Sequence, residues 1–195
     1  PEVACSLKSE IYGVIKRDYG KDRALAIGKA FLRSPRLTVR YNPLKVSATE
    51  IESRLMEESF GINKGAFLPE ILTLETGSNG IENSAAYKDG LFFVQNEAAA
   101  LASHIAAPSK GFRILDCCAA PGGKTTDLAA SLREAYGNDF LLVSNEVMRQ
   151  RASVLSDNVA LWGDPNVVVT SCDPKAFAAI EGFFDIIVAD VPCSG

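Results

Sequence analysis

Apolar positions recur with three different periods, and the change of period divides the chain. Leu7, Ile11, Val14 and Ile15 fall at helical spacing, as do Ala24, Ile27, Phe31 and Leu32 beyond Gly20, so two short helices are predicted. Arg36–Tyr41 alternates like a strand with one wet face, and Asn42-Pro43 closes it. Ser47-Ala48-Thr49-Glu50 reads as a capping box, in which serine and glutamate satisfy each other's free backbone donors. It predicts a helix to about Ser59, with Ile51, Leu55 and Phe60 facing inward. Strands are expected at 66–75 and 91–95, then an alanine-rich helix from Asn96 to Ala107 that Pro108 ends.

Beyond Lys110 the strands become apolar on both faces. Phe112–Cys117, Phe140–Val143, Val167–Val169 and Phe184–Asp190 are such runs. Between them 124–135, 147–162 and 174–181 read as helices, the second with Met148, Ala152, Leu155, Val159 and Trp162 inward. Doubly buried strands alternating with helices imply a parallel sheet covered on both sides. The expected fold is therefore α/β, with a Rossmann-like sheet of four strands over residues 108–195 and a small α+β accessory region over 1–107.

Composition narrows the class. With 47% hydrophobic and 23% charged residues, 15 Gly and 9 Pro, the chain is neither a disordered tail, nor collagen-like, nor a charge-dominated nucleic-acid arm. No stretch reaches the ~18 uncharged apolar residues of a membrane span, and no secretory signal opens the chain. Five cysteines without CxxC spacing fit reduced thiols, hence a cytoplasmic protein with no membrane partner. Pro1 and Gly195 both read as cut ends. Charge is uneven: residues 1–45 carry +6, residues 46–110 carry −5 and residues 111–195 carry −5. A basic start on an acidic body suits an anionic partner touching one end, although long Lys and Arg side chains also simply solvate exposed helices.

The densest motif is Asp116-Cys117-Cys118-Ala119-Ala120-Pro121-Gly122-Gly123-Lys124-Thr125, set between the first parallel strand and its helix, where open α/β sheets bind ligands. Gly123-Lys124-Thr125 fits the end of a phosphate-binding GxxxxGK[ST] loop, and Ile186–Asp190 resembles its magnesium-holding partner strand. Against that reading, Cys118 stands where the first glycine belongs, and Pro121 removes an N–H from a loop that must present them. The competing ligand is an adenosyl group with a compact charged tail. Glu146 lies where a carboxylate meets ribose hydroxyls, and Asp173 where one meets an adenine amino group. Acids after four successive strands (Asp116, Glu146, Asp173 and Asp190) suit a cationic sulfonium better than a triphosphate, though single acids there commonly cap helices. Cys5, Cys117, Cys118 and Cys172 read as packing residues, the single histidine, His104, as structural, and no metal cluster is expected.

Residues 111–195 resemble the catalytic domain of the Nop/Sun family of S-adenosylmethionine-dependent RNA cytosine-5 methyltransferases, and most of all its ribosomal-RNA branch, RsmF. The matching residues are Cys118–Lys124, Asn145-Glu146, Asp173 and Asp190-Val191-Pro192-Cys193-Ser194-Gly195, and Leu91–Glu97 resembles the segment leading into that domain. The likeness spans roughly 36–195; Val191 stands where the family usually has alanine. It implies a class I methyltransferase sheet, truncated here after its fourth strand. It implies S-adenosyl-L-methionine as cofactor, held by Cys118, Ala119, Ala120, Pro121, Gly122, Gly123, Lys124, Glu146, Asp173 and Asp190. RNA, ribosomal RNA above all, is the implied partner. Asp190 would polarise the base near ring nitrogen 3, and Cys193 would assist product release. The family's attacking cysteine lies in a Thr-Cys motif with no counterpart in these 195 residues, so the chain alone is expected to be inactive. A non-catalytic RNA-binding or assembly protein that keeps the cofactor fold is the alternative, and would bind RNA indifferently to S-adenosylmethionine.

Overall fold

The computed structural model describes residues 5–33, 36–75, 80–106 and 113–191. Its packing divides the chain after Arg36 into two compact units, whereas the sequence suggested a boundary at 107/108, which falls among residues outside the description. In the first unit, helices α1 (Ser9–Tyr19) and α2 (Lys21–Phe31) form where the helical period placed them. The segment before α1 packs tightly on α2: a Cβ on Gly28 would lie 2.5 Å from the Cys5 sulfur. Tyr12 and Ala24 are buried there, while Ile11, Val14, Phe31 and Leu32 remain exposed.

The second unit opens with an antiparallel sheet in the order β2-β3-β1-β4, built from β1 (Leu37–Tyr41), β2 (Gly61–Lys64), β3 (Ile71–Glu75) and β4 (Phe92–Val94). Helix α3 (Ala48–Glu57) starts at the expected box: Ser47 Oγ accepts from the Glu50 amide at 3.3 Å, and Glu50 Oε2 from the Ser47 amide at 2.9 Å. Its inward Ile51 and Leu55 pack with Val39, Leu72, Leu74 and Phe92. β2 carries no apolar alternation because it is an exposed edge, defined only by backbone pairing to β3. The expected strand 66–75 begins at Ile71 instead; residues before it form a turn gathered by Glu97. Glu97 Oε1 accepts from the Phe67 amide at 2.7 Å and the Leu68 amide at 2.9 Å, and Oε2 from the Ala66 amide at 3.1 Å.

Those bonds, that from Leu68 foremost, hold the Glu97 carboxyl below its ordinary value. A depressed folded value means stabilisation present above the unfolded carboxylate range and lost as pH falls through the folded value. Glu97→Gln is therefore expected to lower the melting temperature at neutral pH and to flatten its acid limb. Thermal denaturation across that range tests it; an acid limb unchanged by the substitution would show that the turn gains nothing from the charge.

After the short helix α4 (Ala85–Lys88) and α5 (Glu97–Ile105) comes the parallel sheet, in the order β7-β6-β5-β8. Its strands are β5 (Arg113–Asp116), β6 (Leu141–Asn145), β7 (Val167–Thr170) and β8 (Ile186–Val188), with α6 (Gly123–Tyr136) and α7 (Arg149–Trp162) crossing over. The fold is thus the α/β, Rossmann-like sheet of four parallel strands. Ile114, Leu128, Leu132 and Leu142 form its core. Three expectations change in detail. Met148 precedes α7 and is exposed rather than inward. The expected helix near 174–181 is a 3-10 turn over Pro174–Ile180, entered by a capping Asp173. The strand expected over 184–190 is described over Ile186–Val188 only, bordering the described sheet beside β5, with Ile187 exposed. No described helix is long and apolar enough to cross a membrane.

Candidate functional site

β5 delivers Asp116 to the carboxyl end of the sheet, and the chain turns through Cys117–Gly122 into α6. Neighbouring strands suspend this loop: the Cys117 amide donates to the Val188 carbonyl at 2.9 Å and the Ala119 amide to the Asn145 carbonyl at 3.0 Å. α7 grips its outer side, with Arg151 donating to the Ala120 carbonyl at 2.9 Å and Asn158 to the Pro121 carbonyl at 2.8 Å. Gly122 caps α6 at φ +110, where a side chain would be strained and its Cβ would lie 3.1 Å from Leu155. The small loop residues leave room for a ligand against the backbone, and the first amides of α6 offer donors.

A cavity of about 250 Å³ opens here, lined by Cys118, Ala119, Ala120, Pro121, Gly123, Lys124 and Asp190 from the loop, helix and β8 end. Phe93, Val94, Gln95, Asn96 and Ala99 complete its wall. Sequence reasoning had singled out Leu91–Glu97 without giving any of it a role. Its visible signal is a short apolar strand running into a helix cap, since Asn96 Oδ1 accepts from the Ala98 amide at 2.8 Å. Lys124 is ion-paired to Asp190. That pairing ties down the lysine a phosphate-binding loop needs free, which weighs further against a triphosphate.

Gly122, Glu146 and Asp173 do not line this cavity. Glu146 is 2% exposed. Its Oε1 accepts from the Met148 amide at 3.0 Å, while Oε2 has no hydrogen bond, with Arg151 3.3 Å away. A buried carboxylate oxygen that accepts no hydrogen bond, though paired in charge to Arg151, has room to accept one from a ligand hydroxyl. Asp173 is exposed and caps the 3-10 turn, accepting from the Lys175 amide at 2.9 Å. Asp116 lies beneath the loop rather than on its rim: Oδ2 accepts from Thr125 Oγ1 at 2.8 Å, Oδ1 is unpartnered, and burial raises its carboxyl.

Burial also raises the thiols of Cys117 and Cys118, with Cys118 and Asp116 adding to the first and Glu146, Asp116 and Asp190 to the second, so neither is an activated thiolate. Cys193, together with Pro192, Ser194 and Gly195, lies outside the described residues.

One cluster was not foreseen. Glu70, His104 and Asp127 bring ligand-type atoms within 4.8 Å of one another, where no metal cluster was expected. His104 Nε2 is 2.7 Å from Glu70 and 3.8 Å from Asp127. Arg40 already brings a cation within 3.4 Å of Asp127. The group therefore reads as an internally compensated ionic cluster, assembled from segments 57 residues apart in sequence between Glu70 and Asp127.

Comparison with known proteins finds relatives of this chain. Residues 103–195 match the family model described as 16S rRNA methyltransferase RsmB/F, and residues 11–79 match that of an RsmF/B-like ferredoxin-like domain. The chain is 33% identical over 171 residues to ribosomal RNA small subunit methyltransferase F of Serratia proteamaculans (strain 568), covering 84% of this chain and 34% of that protein. It thus spans about a third of the length of the curated relatives it matches. Among solved structures, a methyltransferase homologue from Pyrococcus horikoshii superposes with a TM-score of 0.83 at 24% identity, covering 100% of this chain and 62% of that one. NSun6 of the same organism, solved with the ligand SFG, gives 0.81 at 18% identity, covering 95% of this chain and 71% of that one. At such identities these two speak for the fold.

Proposed function

We propose, from the premise that this chain belongs to the RsmB/F methyltransferase family, that it binds S-adenosyl-L-methionine and serves methylation of carbon 5 of cytosine in ribosomal RNA, in the cytoplasm. The observation that carries this reading is the meeting of Cys118–Pro121, Lys124 and Asp190 on one cavity at the carboxyl ends of parallel strands. The residues present fit the cofactor. The loop admits a ligand against its backbone, Asp190 stands on the rim paired to Lys124, and Glu146 keeps a buried oxygen that accepts no hydrogen bond, beside Arg151, for ribose hydroxyls.

When bound, the cofactor supplies a methyl group made electrophilic by its sulfonium. Cys118–Lys124 would hold its nucleoside and amino-acid ends, Glu146 its ribose, and Asp173 its adenine amino group. Carbon 5 of cytosine is too weak a nucleophile unaided, and a thiolate adding at carbon 6 makes it enamine-like. Asp190, held in place by Lys124, would hydrogen-bond the base near ring nitrogen 3 and stabilise the charge that develops there. A base then removes the carbon 5 proton so that the thiol leaves, a stage to which Cys193 is assigned. The target base must leave its stack to enter the cavity, and the basic residues 1–45, within an accessory region over 1–107, are the proposed RNA contact.

Titration calorimetry tests the cofactor role. Glu146→Ala is expected to weaken S-adenosyl-L-methionine binding about tenfold, the worth of a hydrogen bond to a charged group. Unchanged affinity in a folded variant would remove Glu146 from the ribose.

A further inference from the structure

Arg40, on β1 of the antiparallel sheet, is buried at 1% exposure yet spends its hydrogen bonds on the start of α6 in the other sheet's layer. One terminal nitrogen donates to Thr126 Oγ1 at 2.7 Å and to the Gly123 carbonyl at 3.3 Å. Thr126 Oγ1, receiving from Arg40, passes a bond on to the Gly122 carbonyl at 2.9 Å. The guanidinium Nε donates to Gln95 Oε1 at 2.8 Å, Gln95 itself being part of the cavity wall. The Trp162 ring covers the guanidinium face at 4.5 Å. Asp127, 3.4 Å away, balances the charge, but the directed bonds go elsewhere, to Gln95 and the start of α6. What the arrangement fixes is the orientation of two peptide planes. The Gly122 carbonyl shares its plane with the Gly123 N–H, and the Gly123 carbonyl with the Lys124 N–H.

We propose that Arg40 is a positioning residue for the donor-binding loop, holding the Gly122 and Gly123 peptide planes so that the Gly123 and Lys124 amides face the bound methyl donor. The assignment rests on the donor-binding reading above. It also makes the antiparallel sheet a working part of the cofactor site. A lysine preserves the charge opposite Asp127 but lacks the planar fork that reaches Gln95, Thr126 and Gly123 together.

The test compares Arg40→Lys and Arg40→Met with Leu55→Ala, a core change in helix α3, packed on the antiparallel sheet, that destabilises without touching the loop. Calorimetry with S-adenosylhomocysteine and hydrogen exchange of the ligand-free protein supply two independent readouts. Both Arg40 variants are expected to lose donor affinity about tenfold, as for one charge-assisted hydrogen bond, and to exchange the Thr126 amide, which donates to the Gly122 carbonyl, faster than the rest of α6. Leu55→Ala is expected to melt earlier with donor affinity unchanged. Wild-type affinity and exchange in Arg40→Lys would overturn the proposal, as would an equal affinity loss in Leu55→Ala. If the wild-type protein binds no donor while the Arg40 variants still accelerate exchange at Thr126, the donor reading fails and the positioning of the helix start stands.

Discussion

Asp190→Asn is expected to reduce methyl transfer to RNA by about 10²-fold or more, the cost of removing one group that stabilises developing charge, while donor binding stays near wild type. The side chain is 58% exposed, so exchanging a carboxylate for an isosteric amide costs the fold little. It sits at the end of β8 on the cavity wall, paired to Lys124, and its proposed partner is the base rather than the donor. A group that acts mainly on the transition state changes turnover without changing ground-state affinity. Labelled-methyl incorporation into small-subunit RNA by the complete protein measures the first quantity and calorimetry the second. Normal turnover would end the base-polarising role, and lost donor affinity would move Asp190 to the cofactor.

Asp127→Asn is expected to cost about 3–5 kcal/mol of folding stability, because it strands a buried guanidinium without its counter-ion. Asp127 and Arg40 have side chains 2% and 1% exposed, 3.4 Å apart. Burial works against both charges, raising the Asp127 carboxyl and lowering Arg40, and each is the largest opposite charge acting on the other. His104 and Glu70 are the other ionisable groups packed against the pair. Denaturant unfolding measures the loss. Replacing Arg40 and Asp127 together with apolar residues of similar volume should recover much of it, and a negligible effect of Asp127→Asn alone would show that Arg40 is held by its other bonds.

The parallel sheet was legible because every one of its strands is a compact apolar run followed by punctuation, as in Ile114-Leu115-Asp116 before the glycines. The loop was legible for the same reason: Pro121, Gly122, Gly123 and Lys124 are contiguous, and contiguous chemistry survives in one dimension. β2 was not, because an edge strand needs only backbone partners and its residues are free to be polar. Arg40 reads in sequence as the wet position of an alternating strand, and only the arrival of α6 over that face buries it. Glu70, His104 and Asp127 are unremarkable one by one, and their meeting is a property of tertiary packing. Asp116 and Asp173 follow strands as the spacing indicated, yet one lies under the loop and the other caps a turn. Position after a strand fixes where a side chain starts and leaves its direction open.

Asn42 is wholly buried and donates to the carbonyls of both Gly90 and Trp162, while Lys45 donates to those of Asp89 and Leu161. Two residues of the loop after β1 therefore close the last turn of α7, a helix that begins over a hundred residues later. The consequence is for protein engineering: exchanging the antiparallel module between relatives would leave the recipient's helix end unsealed unless the loop carrying Asn42 and Lys45 is transplanted with a matching α7 terminus. Crossover points for hybrids belong outside that seam.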